Sequence, residues 1–399
     1  MKSIPIINKV FFLFILFVIL YNSSSVLITV NSDLGTLLLI PATIIVLLIN
    51  ISNKKLPTIR GMNSTTFYCI FVIIGLFTFF YNFDSTVLSP YIRFFLIITL
   101  SLLLSNIYSF ENFVIYYLRI IFIISIFSLI GYSLANLFNF GSFLPTITNI
   151  NHIDYYNGYL FYIIQHAPER NIGIFWEPGI FTSFLIIALI FEVSIKEKTN
   201  KVNFFLFTFT ILTTLSTSGI FLLPFLLILL INKRNQTRSS LVFNTFLLLF
   251  IIIVQFKVET ILQLLNSMNP DLFGKVLYKS NSVMTRLNGP LVDMAIFSRS
   301  PMLGVGYSDY YNIWRNLTFR SDVLSQTSTI TYFLAVFGFM GISYAVGWIK
   351  GILNMQKVTL LAKLTILSIF VVILSKEPHQ NNVLMYLIFF YFLQNKSVA

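Results

Sequence analysis

Long apolar runs, broken by short polar stretches, dominate this chain. A run of about 17 to 25 apolar residues is long enough to cross a bilayer as a helix. Such runs fall near 6–22, 34–50, 66–83, 86–105, 112–138, 176–195, 202–216, 217–232, 240–256, 328–349, 358–375 and 380–394. Helices are the expected form, because backbone in lipid must satisfy its own N–H and C=O groups. The pattern predicts an all-α, polytopic integral membrane protein with roughly 12 transmembrane helices and both termini on one side. The stretch 202–231 is long for one span and short for two. Thr213, Thr214, Ser216, Thr217, Ser218 and Gly219 sit at its middle. They predict a tight turn between two short helices shielded by protein rather than lipid. Lys2 and Lys9 precede or enter the first apolar run, as in a signal peptide. No small-residue cleavage site follows, so a retained first helix is expected.

One segment departs from the pattern. Between 257 and 327 the chain carries Lys257, Lys275, Lys279, Arg286, Arg299, Arg315 and Arg320, with Glu259, Asp271, Asp293, Asp309 and Asp322. A charged loop of this length is expected to be functional. Within it, Gly289-Pro290 predicts a helix start and Pro301 its stop. Arg286 and Asp293 share a face if that helix extends back far enough. Gly304 and Gly306 would allow close backbone approach to a ligand.

Composition fixes the class. The chain has 399 residues, of which 57% are hydrophobic and 10% charged, against about a quarter charged in soluble domains. The formal net charge is +12, and its distribution explains it. Lys54, Lys55 and Arg60 share one loop; Lys196, Lys198 and Lys201 a second; Lys233, Arg234 and Arg238 a third; Lys350, Lys357 and Lys363 a fourth. These fall on the side of Lys2, Lys9 and Lys396, whereas the alternating stretches 21–33 and 84–90 have no Lys or Arg. The positive-inside rule makes the first set cytoplasmic, and no nucleic-acid partner is expected. Two long outer loops follow, 139–175 and 257–327. The single cysteine, Cys69, rules out an intrachain disulfide framework. No repeat or linker divides the chain, so 1–399 is expected to be one membrane domain.

Ionisable groups at membrane depth are costly and are functional candidates. Arg93 lies just inside the fourth span and Arg119 in the fifth, nearer the cytoplasm. His152, Asp154, His166, Glu169, Arg170 and Glu177 cluster around the first outer loop, and Lys376, Glu377 and His379 occupy the last outer turn. The strongest local pattern is Arg170-Asn171-Ile172-Gly173-Ile174-Phe175-Trp176-Glu177-Pro178-Gly179. Pro178 suits the first position of a helix. Glu177 then stands where free N–H groups favour negative charge. Arg170, a fork of donors, can grip phosphate oxygens; the alternative is an interfacial anchor with Trp at the headgroups and Glu capping. For Arg299 an exposed loop charge is the simpler reading, and for Arg119 a snorkelling side chain. The scattered histidines form no metal-binding pattern, so no metal is expected.

At these segments the chain resembles the O-antigen polymerase and O-antigen ligase superfamily of bacterial envelope glycosyltransferases. The resemblance rests on Arg170 through Gly179, Leu215-Ser216-Thr217-Ser218-Gly219, Arg286 with Pro301-Met302-Leu303-Gly304-Val305-Gly306, and Gly338-Phe339-Met340-Gly341. It implies a GT-C-like fold with one large periplasmic loop in the bacterial inner membrane. Ligases of the superfamily usually carry a His-Asn-like pair before the span after that loop. Here the stretch reads Leu324-Ser325-Gln326-Thr327-Ser328-Thr329, which favours a repeat-unit polymerase.

The resemblance implies polymerisation of polyprenyl (undecaprenyl) diphosphate-linked repeat units at the outer face, without a cofactor. Arg170 and Arg286, then Arg93 and Arg299, would neutralise the diphosphate. Glu177 would be the first candidate base, with Asp293, Glu377 and His379 as secondary candidates. The implied partners are the lipid-linked glycans, the bilayer, a chain-length regulator and a flippase of the same pathway. The alternatives are a ligase acting on lipid A-core and a lipid-linked sugar flippase or transporter.

Overall fold

A computed structural model of the chain describes residues 6–52, 62–83, 88–150, 152–234, 280–318, 328–356 and 358–394. The first half gives α1 (Ile6–Asn22), the single-turn α2 (Val26–Val30), α3 (Ser32–Ser52), α4 (Met62–Tyr81), α5 (Leu88–Ile107) and α6 (Phe110–Phe138). Then follow α7 (Pro178–Ile190), α8 (Lys201–Thr213) and α9 (Thr217–Arg234). The charged loop contributes α10 (Ser280–Phe297) and α11 (Gly306–Thr318), and the chain continues with α12 (Thr329–Phe337), α13 (Ile342–Leu353), α14 (Leu360–Lys376) and α15 (Val383–Leu393). The span expected at 240–256 lies outside the described residues; every other expected span coincides with a helix or with a broken pair.

Five stretches among the described residues are long and apolar enough to cross a membrane: Leu34–Ser52, Asn63–Tyr81, Leu88–Ile107, Phe110–Phe138 and Pro178–Ile195. The chain is therefore a mainly helical protein whose apolar helices fit multi-pass membrane association. The expected turn within 202–231 is present, with α8 ending at Thr213 and α9 starting at Thr217. Thr210, Thr213, Thr214 and Ser216 are buried there, so protein and not lipid receives the polar groups.

Two helices form the centre. Every residue of α7 and of α15 is buried, as expected of helices that are apolar on all sides. α15 packs on α5 and α13, and α7 on α8 and α9. Aromatic rings join the two: Phe113 stacks on Tyr391 at 4.8 Å and meets Phe191 edge-on at 6.1 Å. α7 passes into a π-helical turn at Phe191–Ile195.

Three features correct the sequence reading. The fold is not wholly α. The first outer loop forms a three-stranded antiparallel sheet of β1 (Thr146–Thr148), β2 (Asp154–Asn157) and β3 (Tyr162–Ile164). Thr146 pairs with Tyr156, and Tyr156 with Ile163. These short runs are rich in β-branched and aromatic residues, which suit a half-buried pleated surface. Next, Gly289-Pro290 does not start a helix, because α10 runs unbroken from Ser280 with Pro290 inside it. Packing of α10 against α12 outweighs the lost N–H of the proline. Finally, the span expected at 328–349 is broken into α12 and α13 by a 3-10 turn at Gly338–Gly341.

That break has a mate. Gly304 and Gly338 adopt positive φ, +72° and +65°. A Cβ on Gly304 would overlap the Val336 carbonyl oxygen, and one on Gly338 would lie 2.6 Å from the Gly304 nitrogen. Val305 N–H donates to Ala335 O (3.1 Å) and Phe339 N–H to Pro301 O (2.6 Å). Gly304 thus serves approach to the chain's own backbone, where a ligand had been expected. We expect Gly304→Ala to destabilise the protein by roughly 2 kcal/mol or more, from combined strain and overlap. A lowered thermal midpoint of the purified protein would register it; an unchanged midpoint would mean the loop does not dock this way.

Candidate functional site

The stretches expected outside the cytoplasm meet at one end of the bundle. Ser25 bridges Phe175, Val26 N–H donates to Ile174 O (3.1 Å), and Trp176 N–H donates to Ser24 O (3.2 Å). Asn171 donates to the Thr213 hydroxyl (3.0 Å) and to Ser128 (3.2 Å), while Thr182 and Thr214 share a 2.9 Å hydrogen bond. Thr78 donates to Leu303 O (3.2 Å). Asn382 donates to Ser24 Oγ (3.4 Å) and, through its own side-chain oxygen, accepts from Leu384 N–H and Met385 N–H at the start of α15. The opposite end of α7 leads into Lys196, Lys198 and Lys201, with the Lys196–Glu192 pair at 3.0 Å.

Two carboxyl side chains approach the start of α7. Glu177 occupies the cap position with extended backbone, followed by Pro178 in the first turn, but its side chain makes no capping hydrogen bond. The capping role expected of it is therefore not made through a side-chain bond. It is half-buried, and the Tyr155 phenol faces its charge. Burial, with Glu177 adding to it, pushes that phenol well up, so Tyr155 stays a neutral donor to Trp176 O (3.0 Å). The second carboxyl belongs to Glu377, only 1% exposed. It lies so close to Gly179 that a Cβ there would overlap it. A helix's first turn, with its free N–H groups, favours negative charge.

The turn between α14 and α15 is fixed by one hydroxyl. Thr329, at the start of α12, donates to Glu377 O (2.9 Å) and accepts from His379 N–H (2.8 Å). The His379 ring is fully buried, edge-on to Phe184 at 6.1 Å. Burial pushes the imidazole down to about 3. Close by in sequence, Thr331 donates to Asp293 Oδ2 (2.5 Å), and Tyr310 donates to Asp293 Oδ1 (2.7 Å). Burial and then the Asp293 carboxylate push the Tyr310 phenol well up, which keeps it a donor. Asp293 is fully buried and acts here as a fixed acceptor. Arg93 is half-buried, its guanidinium over Gly35 and within electrostatic reach of Tyr311.

Of the other sequence candidates, Arg170 is half-buried after β3, its N–H donating to Ala167 O (3.1 Å). Arg286 lies on α10, about two turns before Asp293. Arg299 is exposed in the turn after α10, as its simpler reading expected. His152, His166 and Glu169 are exposed. Among the described residues no group of His, Cys, Asp and Glu has metal-site geometry.

The sequence reading missed Thr329, Thr331 and the α11 aromatics. Tyr307, Tyr310 and Trp314 recur at helical spacing and are all buried; that periodicity was a usable signal. Asn171 of the 170–179 segment bonds Thr213, just before the 215–219 turn, and 301–306 docks on the break at 338–341. No family model and no curated protein sequence matches the chain.

Two outcomes are expected. Thr329→Val keeps shape but leaves the buried His379 N–H without its acceptor, at a cost of about 1–3 kcal/mol, measurable as a drop in thermal midpoint. The imidazole of His379 should stay neutral from pH 8 to pH 5 in a site-specific NMR titration. The unfolded imidazole takes a proton near 6.5 that the folded one refuses, so stability falls as pH drops from about 6.5 toward 3 and is flat above. A folded titration near 6.5 would mean the ring is solvated.

Proposed function

We propose that the protein is a membrane glycosyltransferase that polymerises polyprenyl-diphosphate-linked repeat units into O-antigen or a related surface polysaccharide. What carries the reading is the meeting of Glu177 and buried Glu377 at the first turn of α7, on the segment that begins with Arg170. In this reading the chain follows the roughly 12-span, GT-C-like topology, and its polar end is periplasmic.

The chemistry needs little beyond these groups. An acceptor hydroxyl oxygen attacks the anomeric carbon of the donor glycan. The bond from that carbon to the diphosphate oxygen breaks, and the lipid diphosphate leaves with the electron pair. Arg170 and Arg286 stabilise the charge on the leaving group, with Arg93 and Arg299 as weaker contributors. Glu177 takes the hydroxyl proton. Among the carboxylates it is the one suited to this, because it is half-buried rather than sealed. Asp293 is occupied by Tyr310 and Thr331. Glu377 is closed in at 1% exposure against Gly179, and a His379 held near 3 is a weak base at neutral pH.

A flippase or transporter fits less well. Broken helices in transporters line a substrate cavity, whereas the Gly338–Gly341 break is filled by the backbone of 301–306. Ligase and polymerase differ in the deletion phenotype. Loss of a polymerase leaves single repeats on the surface lipid, and loss of a ligase leaves none.

The purified protein, given synthetic polyprenyl-diphosphate repeat units, should form new glycosidic bonds without added nucleotide sugar. Glu177→Gln should lower turnover by about 10²–10⁴, and Arg170→Ala or Arg286→Ala by about 10²–10³, at unchanged protein level. Polymer from all three variants at normal rate would remove these residues from the reaction.

A further inference from the structure

The end of the bundle opposite the proposed active site carries a cleft of about 440 Å³ between α6, the π-helical turn and the start of α8. Volumes of this size are typical of small-ligand sites. Its wall includes Ile115, Phe122 and Arg119 from α6, with Lys196, Asn200 and Asn203 opposite. Arg119 sits about 14 Å along α6 from Phe110, its guanidinium 5.8 Å from the Tyr116 ring centroid. Among the described residues no carboxylate pairs with it.

The charge arrangement is built rather than incidental. Glu192 is fully buried and accepts from Lys196 Nζ (3.0 Å), Asn200 N–H (2.6 Å) and Asn203 Nδ2 (2.9 Å). Its charge is thereby matched to Lys196, and Arg119 remains as the uncompensated cation of the cleft. Asn200 also caps α8, its side chain accepting from Val202 N–H (2.9 Å). The positive end of the α8 dipole therefore points to the same place. The apolar side of the cleft includes Ile115 and Ile123 of α6, both exposed, a surface suited to an acyl chain.

We infer that this cleft binds the headgroup of an anionic phospholipid, with the acyl chains along α6. A guanidinium holds a phosphate by paired hydrogen bonds, and basic pockets between membrane helices take such headgroups. A zwitterionic lipid is disfavoured, because its ammonium would add a cation beside Arg119 and Lys196. The site is independent of the glycosyltransferase reading.

The test is native mass spectrometry of the full-length protein from mixed micelles of phosphatidylglycerol and phosphatidylcholine. The wild type should retain phosphatidylglycerol at least fivefold over phosphatidylcholine, and Arg119→Gln combined with Lys196→Gln should abolish that preference. Lys198→Gln with Lys201→Gln removes the same charge from exposed neighbours and should leave it intact. Arg119→Gln alone, an exposed position, should lower retention at an unchanged thermal midpoint and serves if the double variant fails to fold. Equal loss in the Lys198/Lys201 control would reduce the effect to diffuse surface charge and overturn the site. Equal retention of both lipids by the wild type would overturn it too. So would full displacement by millimolar inorganic phosphate, which would make the occupant a free anion.

Discussion

A helix buried on all sides still begins with N–H groups that have no partner within it. That constraint organises this protein. α7 and α15 are sealed along their whole lengths, so neither lipid nor bulk water is at hand along their flanks. At α15, Asn382 accepts from the Leu384 and Met385 N–H groups, and Ser23 Oγ shares the Leu384 N–H at 3.3 Å. At α7 the cap residue leaves its side chain free of that task, and the Glu377 carboxylate arrives from a distant turn to lie against Gly179. The polar layer at this end gathers distant segments around the starts of two apolar helices.

The catalytic reading follows from that arrangement rather than competing with it. In that reading, Asp293 is held by Tyr310 and Thr331 and Glu377 is buried, and the half-buried Glu177 is the carboxylate assigned to proton transfer. Thr329 and Thr331 stand two residues apart on α12 and hold the α14–α15 turn and α10 respectively. One turn of helix thus sets the position of Glu377 relative to Asp293, and through α10 the position of the backbone that carries Arg286.

Much of the helical layout was legible because hydropathy reports burial in lipid or core directly. The Thr213–Gly219 break announced itself by polarity. What was not legible depended on partners far away in sequence. Nothing near Gly338 indicates that Gly304 will press against it, so an uninterrupted apolar run read as one span. Pro290 carries a local start signal that packing on α12 overrides. The sheet at 146–164 was hidden inside a loop read only for its charges, although Tyr155, Tyr156 and Tyr162 to Ile164 have strand composition. Thr329 was noted for not being histidine, and its hydroxyl proved to be what fixes the last turn.

The docking of 301–306 on the broken helix also sets an order of events. The chain is made from its N-terminus, so Gly304 exists before Val336 and Gly338. The loop can meet Thr78 and Asn82 as soon as it is made, but its left-handed glycines gain their backbone contacts only once the following helices are delivered.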